Sequence, residues 1–329
     1  MVLLAVACED QFIDPRQPDP SPDAAVVSQA WPNTCPEGAD CERSFCWGTA
    51  SVVTTSTRSD VSDTGGVPVI DPDGAWLYVS RKLPEWRHST GALARHVRMR
   101  IVGPGQVDPS TAEILPTTAT ATVGYNGVPS VTRDGLEMVF NSTRGDEAWR
   151  DPEVYLSWRA SRAAAWSIPR AIEGIGTRMY HDDGVEDPLM LPDGRTLIFT
   201  RLDTNRVAQA RRVRDELGSV EMVIQTDALA SERGYRVLSN NLSCDGWHLL
   251  FVRRIADSVG SDMEPRATKI LSLDPLLFAA DSVPIPLPVG RDRVQKKDGL
   301  LSINEAPDCS GVYFSDFDRV YYAPAVACP

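Results

Sequence analysis

The sequence predicts an all-β chain folded as a five-bladed β-propeller, on two observations: a hairpin motif that recurs five times, and an N-terminal strand left over where the last repeat falls short. In each copy an apolar stretch meets an Asp-centred turn. A second apolar stretch follows and ends on an aromatic residue or Val six positions after the turn aspartate. The copies are 69–79 (VIDPDGAWLYV), 130–140 (SVTRDGLEMVF), 189–199 (LMLPDGRTLIF), 241–251 (NLSCDGWHLLF) and 304–314 (NEAPDCSGVYF). The turn aspartates Asp73, Asp134, Asp193, Asp245 and Asp308 follow one another at intervals of 61, 59, 52 and 63 residues. A small sheet cannot bury its own faces, so a period of this length signals one supersecondary unit stacked on copies of itself.

The chain opens on 1–8 (MVLLAVAC), apolar and small residues ending in Cys8. This looks like the tail of a bacterial lipoprotein signal, whose cysteine is lipidated, without the length or basic region of a complete export signal. The alternative is a chance apolar N-terminus with an ordinary cysteine. The Pro- and Asp-rich stretch 11–23 suits a solvated tether and favours the lipoprotein reading. Residues 1–23 are therefore assigned to signal and tether, 24–47 to a Cys-rich N-terminal segment, and 48–329 to the propeller.

Setting Cys8 aside leaves six cysteines: Cys35, Cys41, Cys46, Cys244, Cys309 and Cys328. An even number suits disulfides in an oxidising compartment, with the pairing open. The spacing of Cys35, Cys41 and Cys46 is not a zinc pattern and no His lies beside it, so no metal is expected there. The balance of 33 basic against 45 acidic side chains, a net charge of -12, opposes binding to nucleic acid or anionic lipid. No apolar run reaches the roughly 20 residues of a spanning helix, so contact with a membrane is expected only through a lipid anchor.

Between hairpins, third strands are expected at 96–102, 153–158, 268–273 and 319–323, where apolar and polar residues alternate. Outer strands are expected at 112–115, 221–224 and 283–287, the prolines of the last suiting an edge. The fifth unit runs out of chain after its third strand. The β-branched stretch 49–55 fills the gap, closing the ring and hiding an edge. Six blades is the alternative, should 24–60 form more than one strand.

The motif, an apolar strand into Ser/Pro-Asp-Gly and then an apolar strand ending in Phe, resembles the WD40-like PD40 repeats of TolB-type propellers. Units two and three match best, in 134–144, 151–155, 160–169 and the Asp182-Asp183 pair before Pro188. The likeness covers roughly residues 60–323. It implies an exported bacterial envelope protein and says little of ligand, since such propellers include binding scaffolds and peptidase accessory domains. Unit four departs with Ser-Cys-Asp-Gly, and unit five with Asp308-Cys-Ser-Gly. The proline five residues before the turn aspartate (Pro68, Pro129, Pro188) gives way to Asn240 and Ile303.

Three residues before the turn aspartate the units carry Ile70, Val131, Met190, Leu242 and then Glu305. A carboxylate at an apolar position needs a partner. It is either a ligand or acid/base group at the channel mouth or a structural acid held by backbone N–H groups or an Arg. Neighbouring Asn304 and Asn240 join it as ligand-binding candidates. The acidic approach 181–187, with His181, Asp183 and Asp187, is either a cation- or sugar-binding loop or a solvated loop, with Glu186 set opposite or near Arg201. It matches no calcium-loop pattern.

A glycoside hydrolase needs paired acids, and Asp183 or Asp187 with Glu305 could supply them. The first two units offer no matching acid at the equivalent inner-strand positions. There is no Gly-x-Ser-x-Gly elbow, His88, His96, His181 and His248 are scattered, and no phosphate-binding glycine loop appears. The expectation is therefore a non-catalytic binding or scaffolding module without a cofactor, meeting an unidentified protein or glycan at the propeller face. A carbohydrate-active hydrolase is the alternative.

Overall fold

The computed structural model describes residues 44–53, 68–82, 94–115, 126–144, 152–173, 175, 185–201, 206–214, 216–229, 235–255, 263–273, 276–288, 302–315 and 319–328. Five four-stranded antiparallel sheets stand as the blades of a ring. The N-terminal strand β1 (Ser51–Val53) belongs to the last of them. Blade one is β2 (Pro68–Ile70), β3 (Trp76–Lys82), β4 (Ala94–Gly103) and β5 (Gln106–Ile114), from the centre outward. Blade two is β6 (Asn126–Val131), β7 (Glu137–Ser142), β8 (Glu153–Trp158) and the two-residue β9 (Arg170–Ala171). Blade three is β10 (Val185–Met190), β11 (Thr196–Arg201), β12 (Arg206–Arg212) and β13 (Met222–Leu229). Blade four is β14 (Tyr235–Leu242), β15 (His248–Ile255), β16 (Met263–Leu273) and β17 (Leu276–Pro284). Blade five is β18 (Ser302–Glu305), β19 (Gly311–Ser315) and β20 (Val320–Pro324), completed by β1.

Five blades form, with the N-terminal strand in the last, as the sequence predicts. Outer strands differ from expectation. Tight hairpins, Gly103 opposite Gln106 and Leu273 opposite Leu276, start β5 and β17 well before 112 and 283. β5 faces solvent and carries mostly polar residues, so the alternation that marks inner strands is weak in it; β17 opens on the apolar Leu276 and Phe278, which pack into the seam with blade three. Blade three also gains a third strand, β12, that the sequence pattern does not mark.

The five turns share one geometry. Each turn aspartate accepts a hydrogen bond from the N–H two residues on, at Ala75, Leu136, Arg195, Trp247 and Ser310, over 2.8–3.0 Å. The residue after the aspartate is left-handed: Gly74, Gly135, Gly194 and Gly246 at φ 71, 72, 64 and 75, and in blade five Cys309 at φ 60. A side chain in that region costs about 1–2 kcal/mol. Cys309 is held there by a disulfide to Cys244, the residue before the turn aspartate of blade four.

Among the described residues there is one apolar cluster at each blade seam. Alternate residues of each second strand enter opposite seams. Leu77 and Val79 face blade five, while Tyr78 faces blade two. The motif's closing residue, Val79, Phe140, Phe199, Phe251 or Phe314, fills the seam with the preceding blade. This is why second strands read as unbroken apolar runs: a neighbouring blade covers each face, as in a doubly covered sheet.

Polar latches reinforce the seams near the turns. Arg159, over the Trp166 ring, lies 3.9 Å from buried Asp71, which also accepts from Tyr78 Oη at 2.9 Å. Burial raises the Asp71 pKa. Arg162 pairs with Asp73 at 3.0 Å. Glu137 receives Arg212 at 2.9 Å and the Gly218 N–H at 2.7 Å, and its pKa too is raised by burial. The Gly105 N–H reaches Tyr313 Oη of blade five at 3.1 Å.

Ring closure joins the termini. β1 pairs with β20 from Ser51 opposite Tyr322 to Val53 opposite Val320. A bridge between Trp47 and Ala325 and the disulfide Cys46–Cys328 extend the joint. Phe45 packs edge-on against His248 of blade four, with centroids 5.6 Å apart. The segment 44–47 thus contributes to the ring.

Gly218 and Gly74 separate conformation from packing. Both have positive φ, but a Cβ at Gly218 would lie 2.6 Å from the Trp158 ring whereas one at Gly74 meets nothing within 4 Å. Gly74→Ala is expected to lower the unfolding free energy by about 1 kcal/mol, and Gly218→Ala by about 2–4 kcal/mol, read from urea midpoints at unchanged slope. Equal losses would remove the packing role of Gly218.

Candidate functional site

A cavity of about 160 Å3 occupies the turn end of the central channel. Three rings of equivalent positions build most of its wall, counted back from the turn aspartates. Four residues before stand Val69, Ser130, Leu189, Asn241 and Asn304. Three before stand Ile70, Val131, Met190, Leu242 and Glu305, and one before stand Pro72, Arg133, Pro192, Cys244 and Pro307. Each blade supplies these positions because its inner strand runs into the shared turn.

The five-fold likeness fails in composition. Blades one and three present only Val, Ile, Leu, Met and Pro, while blades four and five present both asparagines and the carboxylate. Glu305 is 3 % exposed, and its Oε2 accepts the backbone N–H of Cys244 at 2.9 Å. The disulfide Cys244–Cys309 binds the same two turns. Asn304 donates to Asn241 Oδ1 at 3.0 Å, and Asn241 donates to the Ile303 carbonyl at 2.9 Å. An amide chain thus crosses the seam between blades four and five beside the carboxylate.

The other candidates sit elsewhere. Asn240 is buried away from the cavity wall, donating at 3.1 Å to both the Asp187 carbonyl and Thr200 Oγ1 of blade three. It occupies a proline position and uses its amide to hold two blades together. Asp187, at φ 50, lies at a bulge in β10, three residues up the strand from the cavity-lining Met190. Asp187 is not among the residues lining that cavity, whereas Glu305 is. Glu186 stands opposite Thr200, with Val185 opposite Arg201, one step from the expected pairing. His181, Asp183, Cys8, Cys35, Cys41 and His88 lie outside the described residues. His96 is fully buried, its Nε2 2.6 Å from the Gly127 carbonyl, and burial pushes its pKa down to about 3.

The sequence reading missed Asn241, Ser130 and Arg133 at the mouth, and the pairing of Cys244 with Cys309. The same alignment held the signal, at four residues and one residue before the turn aspartate. Behind the wall, Asp245 accepts from Ser243 Oγ and from the Trp247 N–H at 2.8 Å, with His248 Nδ1 3.3 Å from its Oδ2. Burial would raise its pKa, but these contacts outweigh burial and hold it at about 2.

Family models match nothing in this chain, and neither do curated proteins. Solved structures do. A family 117 glycoside hydrolase from the marine bacterium Zobellia galactanivorans is 11 % identical over 87 % of this chain and 92 % of its own, with a TM-score of 0.52. A TolB candidate from Agrobacterium tumefaciens is 16 % identical over 82 % and 92 %, at 0.42. A periplasmic gluconolactonase from Pseudomonas aeruginosa is 15 % identical over 80 % and 65 %, at 0.41, so the chain spans about two thirds of that protein's length. Likeness at these identities is one of fold, and these propellers have diverse functions.

The folded-state pKa of Asp245 is lowered, so its contribution is complete above the ordinary carboxylate range and lost as pH falls toward 2. The stability gap between the native protein and Asp245→Asn should therefore shrink by about 2 kcal/mol from pH 5 to pH 2. A gap independent of pH in chemical denaturation would contradict this electrostatic role.

Proposed function

We propose that the chain is a non-catalytic binding or scaffolding module of the bacterial cell envelope, exported and lipid-anchored through Cys8, with the turn-end cavity as its ligand seat. The observation that carries the reading is the asymmetry of that mouth. A pseudo-symmetric ring places a buried carboxylate and two linked amides against one side of a largely apolar cavity, in a frame stapled by disulfides on both sides of blade five. A rigid, preorganised pocket with few polar groups suits selective binding. The two disulfides agree with folding in an oxidising compartment outside the cytoplasm. The acidic balance leaves a protein or glycan as the expected partner.

A glycan array run beside a chromogenic-glycoside screen tests the module. Binding without turnover is expected, and turnover abolished by Glu305→Gln would replace the module with a hydrolase. For the anchor, a fatty-acid analogue should label Cys8 when the start codon is moved upstream. Absence of label would remove it.

A further inference from the structure

We propose that the turn-end cavity binds a neutral aliphatic group with an alcohol or amide end, the polar end reaching the ring that holds Ser130 and Asn304 and the alkyl stem lying against the apolar wall of blades one and three. The inference rests on the reading of this mouth as a ligand seat and names what the seat takes.

The charged groups of the wall are already committed. Glu305 Oε2 accepts the Cys244 N–H, and the carboxylate has a further contact beyond it. Arg133, exposed and one position before its turn aspartate, is partnered as well. Of the neutral groups, Asn241 uses its amide on the Ile303 carbonyl and on Asn304, and Ser243 Oγ is taken by Asp245 and the His248 N–H. Two lining side chains keep hydrogen-bonding capacity among the described residues. Ser130 is 5 % exposed and its hydroxyl makes no hydrogen bond there, and Asn304 is 9 % exposed and its amide makes only the one to Asn241. Both stand four residues before their turn aspartates, in the two blades that flank Val69 of blade one.

Three properties select the ligand. An ion entering this cavity would lose hydration and meet no uncommitted opposite charge, which is costly. A hydroxyl or amide both donates and accepts, and so matches the Ser130 hydroxyl and the Asn304 amide. Nearer the mouth, Ile70, Val131, Met190 and Leu242 form most of the next ring, so a polar end held inside leaves its stem in an apolar collar. A volume of about 160 Å3 is close to that of a cavity that takes one benzene ring, roughly 150 Å3, and a five-carbon alcohol has as many non-hydrogen atoms as benzene. A small neutral solute and a leucine side chain beside the backbone amides of a partner protein share this chemistry.

The test titrates the protein with pentan-1-ol in 0.15 M salt, with pentylammonium and pentanoate as charged isosteres. Binding is followed by backbone-amide and ligand-observed NMR, because so small a ligand binds weakly. Saturable binding of the alcohol is expected, at least ten-fold weaker for each ion. Val131→Phe, which fills the collar from the half-buried wall of blade two, should weaken it about ten-fold. Ser130→Ala, which removes one neutral hydrogen bond, should weaken it roughly three-fold and carries the test should Val131→Phe fail to fold. N-acetyl-leucinamide forms a separate arm: tighter binding than the alcohol assigns an aliphatic side chain of a partner protein, and weaker binding a small solute. Less than ten-fold preference over either ion, unchanged affinity in either folded variant, or no binding of the alcohol or the leucinamide would overturn the inference. Those results would leave the binding module standing, since only turnover removes it.

Discussion

Every seam in this molecule depends on closing the ring. A blade has a hydrophobic cluster on each side, and a five-blade array left open would expose two of these faces at its ends. Closure rests on a short joint: β1, the bridge from Trp47 to Ala325 and the disulfide Cys46–Cys328. A three-residue strand alone is marginal. The disulfide spans 282 residues of sequence, and closing so long a loop in the unfolded chain is worth roughly 5–6 kcal/mol in the chain-entropy description. A weak strand pairing thereby becomes a lock.

The closed ring also explains the site. Five copies of one turn bring five copies of each inner-strand position to one end of the channel, so a default mouth would be uniformly apolar. Function needs a departure from that default, and the departures cluster at the seam between blades four and five. Glu305 answers the Cys244 N–H, Asn304 answers Asn241, and Cys309 takes a glycine position because Cys244 holds it. The same seam receives Phe45 from the closing segment, which packs on His248. Lock and mouth are thus built into neighbouring parts of one blade.

The fold was largely legible because repetition and burial write themselves into sequence. The second strands carry an unbroken apolar run at their centres, since each is covered there on both faces, and the turn aspartate with its left-handed neighbour marks the register. Edge strands were less legible: β5 and β9 face solvent, and the sequence marks only the end of the first, at 112–115, and nothing of the second. At the site, Glu305 stood out as a charge at an apolar position. Asn241 and Ser130 did not, because polar residues are common at strand ends and only their ring reveals what they face. The pairing of Cys244 with Cys309 depends on two turns that lie 65 residues apart in sequence and meet only after the ring forms. Asn240 illustrates the reverse: an unusual residue whose role is to bind one blade to the next.

The most direct test of the closed ring is hydrogen exchange of the native protein against a Cys46→Ser/Cys328→Ser variant, resolved by blade. If closure supports every seam, protection should fall together in the second strands β3, β7, β11, β15 and β19. Loss confined to β1 and β20, with the other blades protected as before, would contradict the account and make each blade stable in its own right.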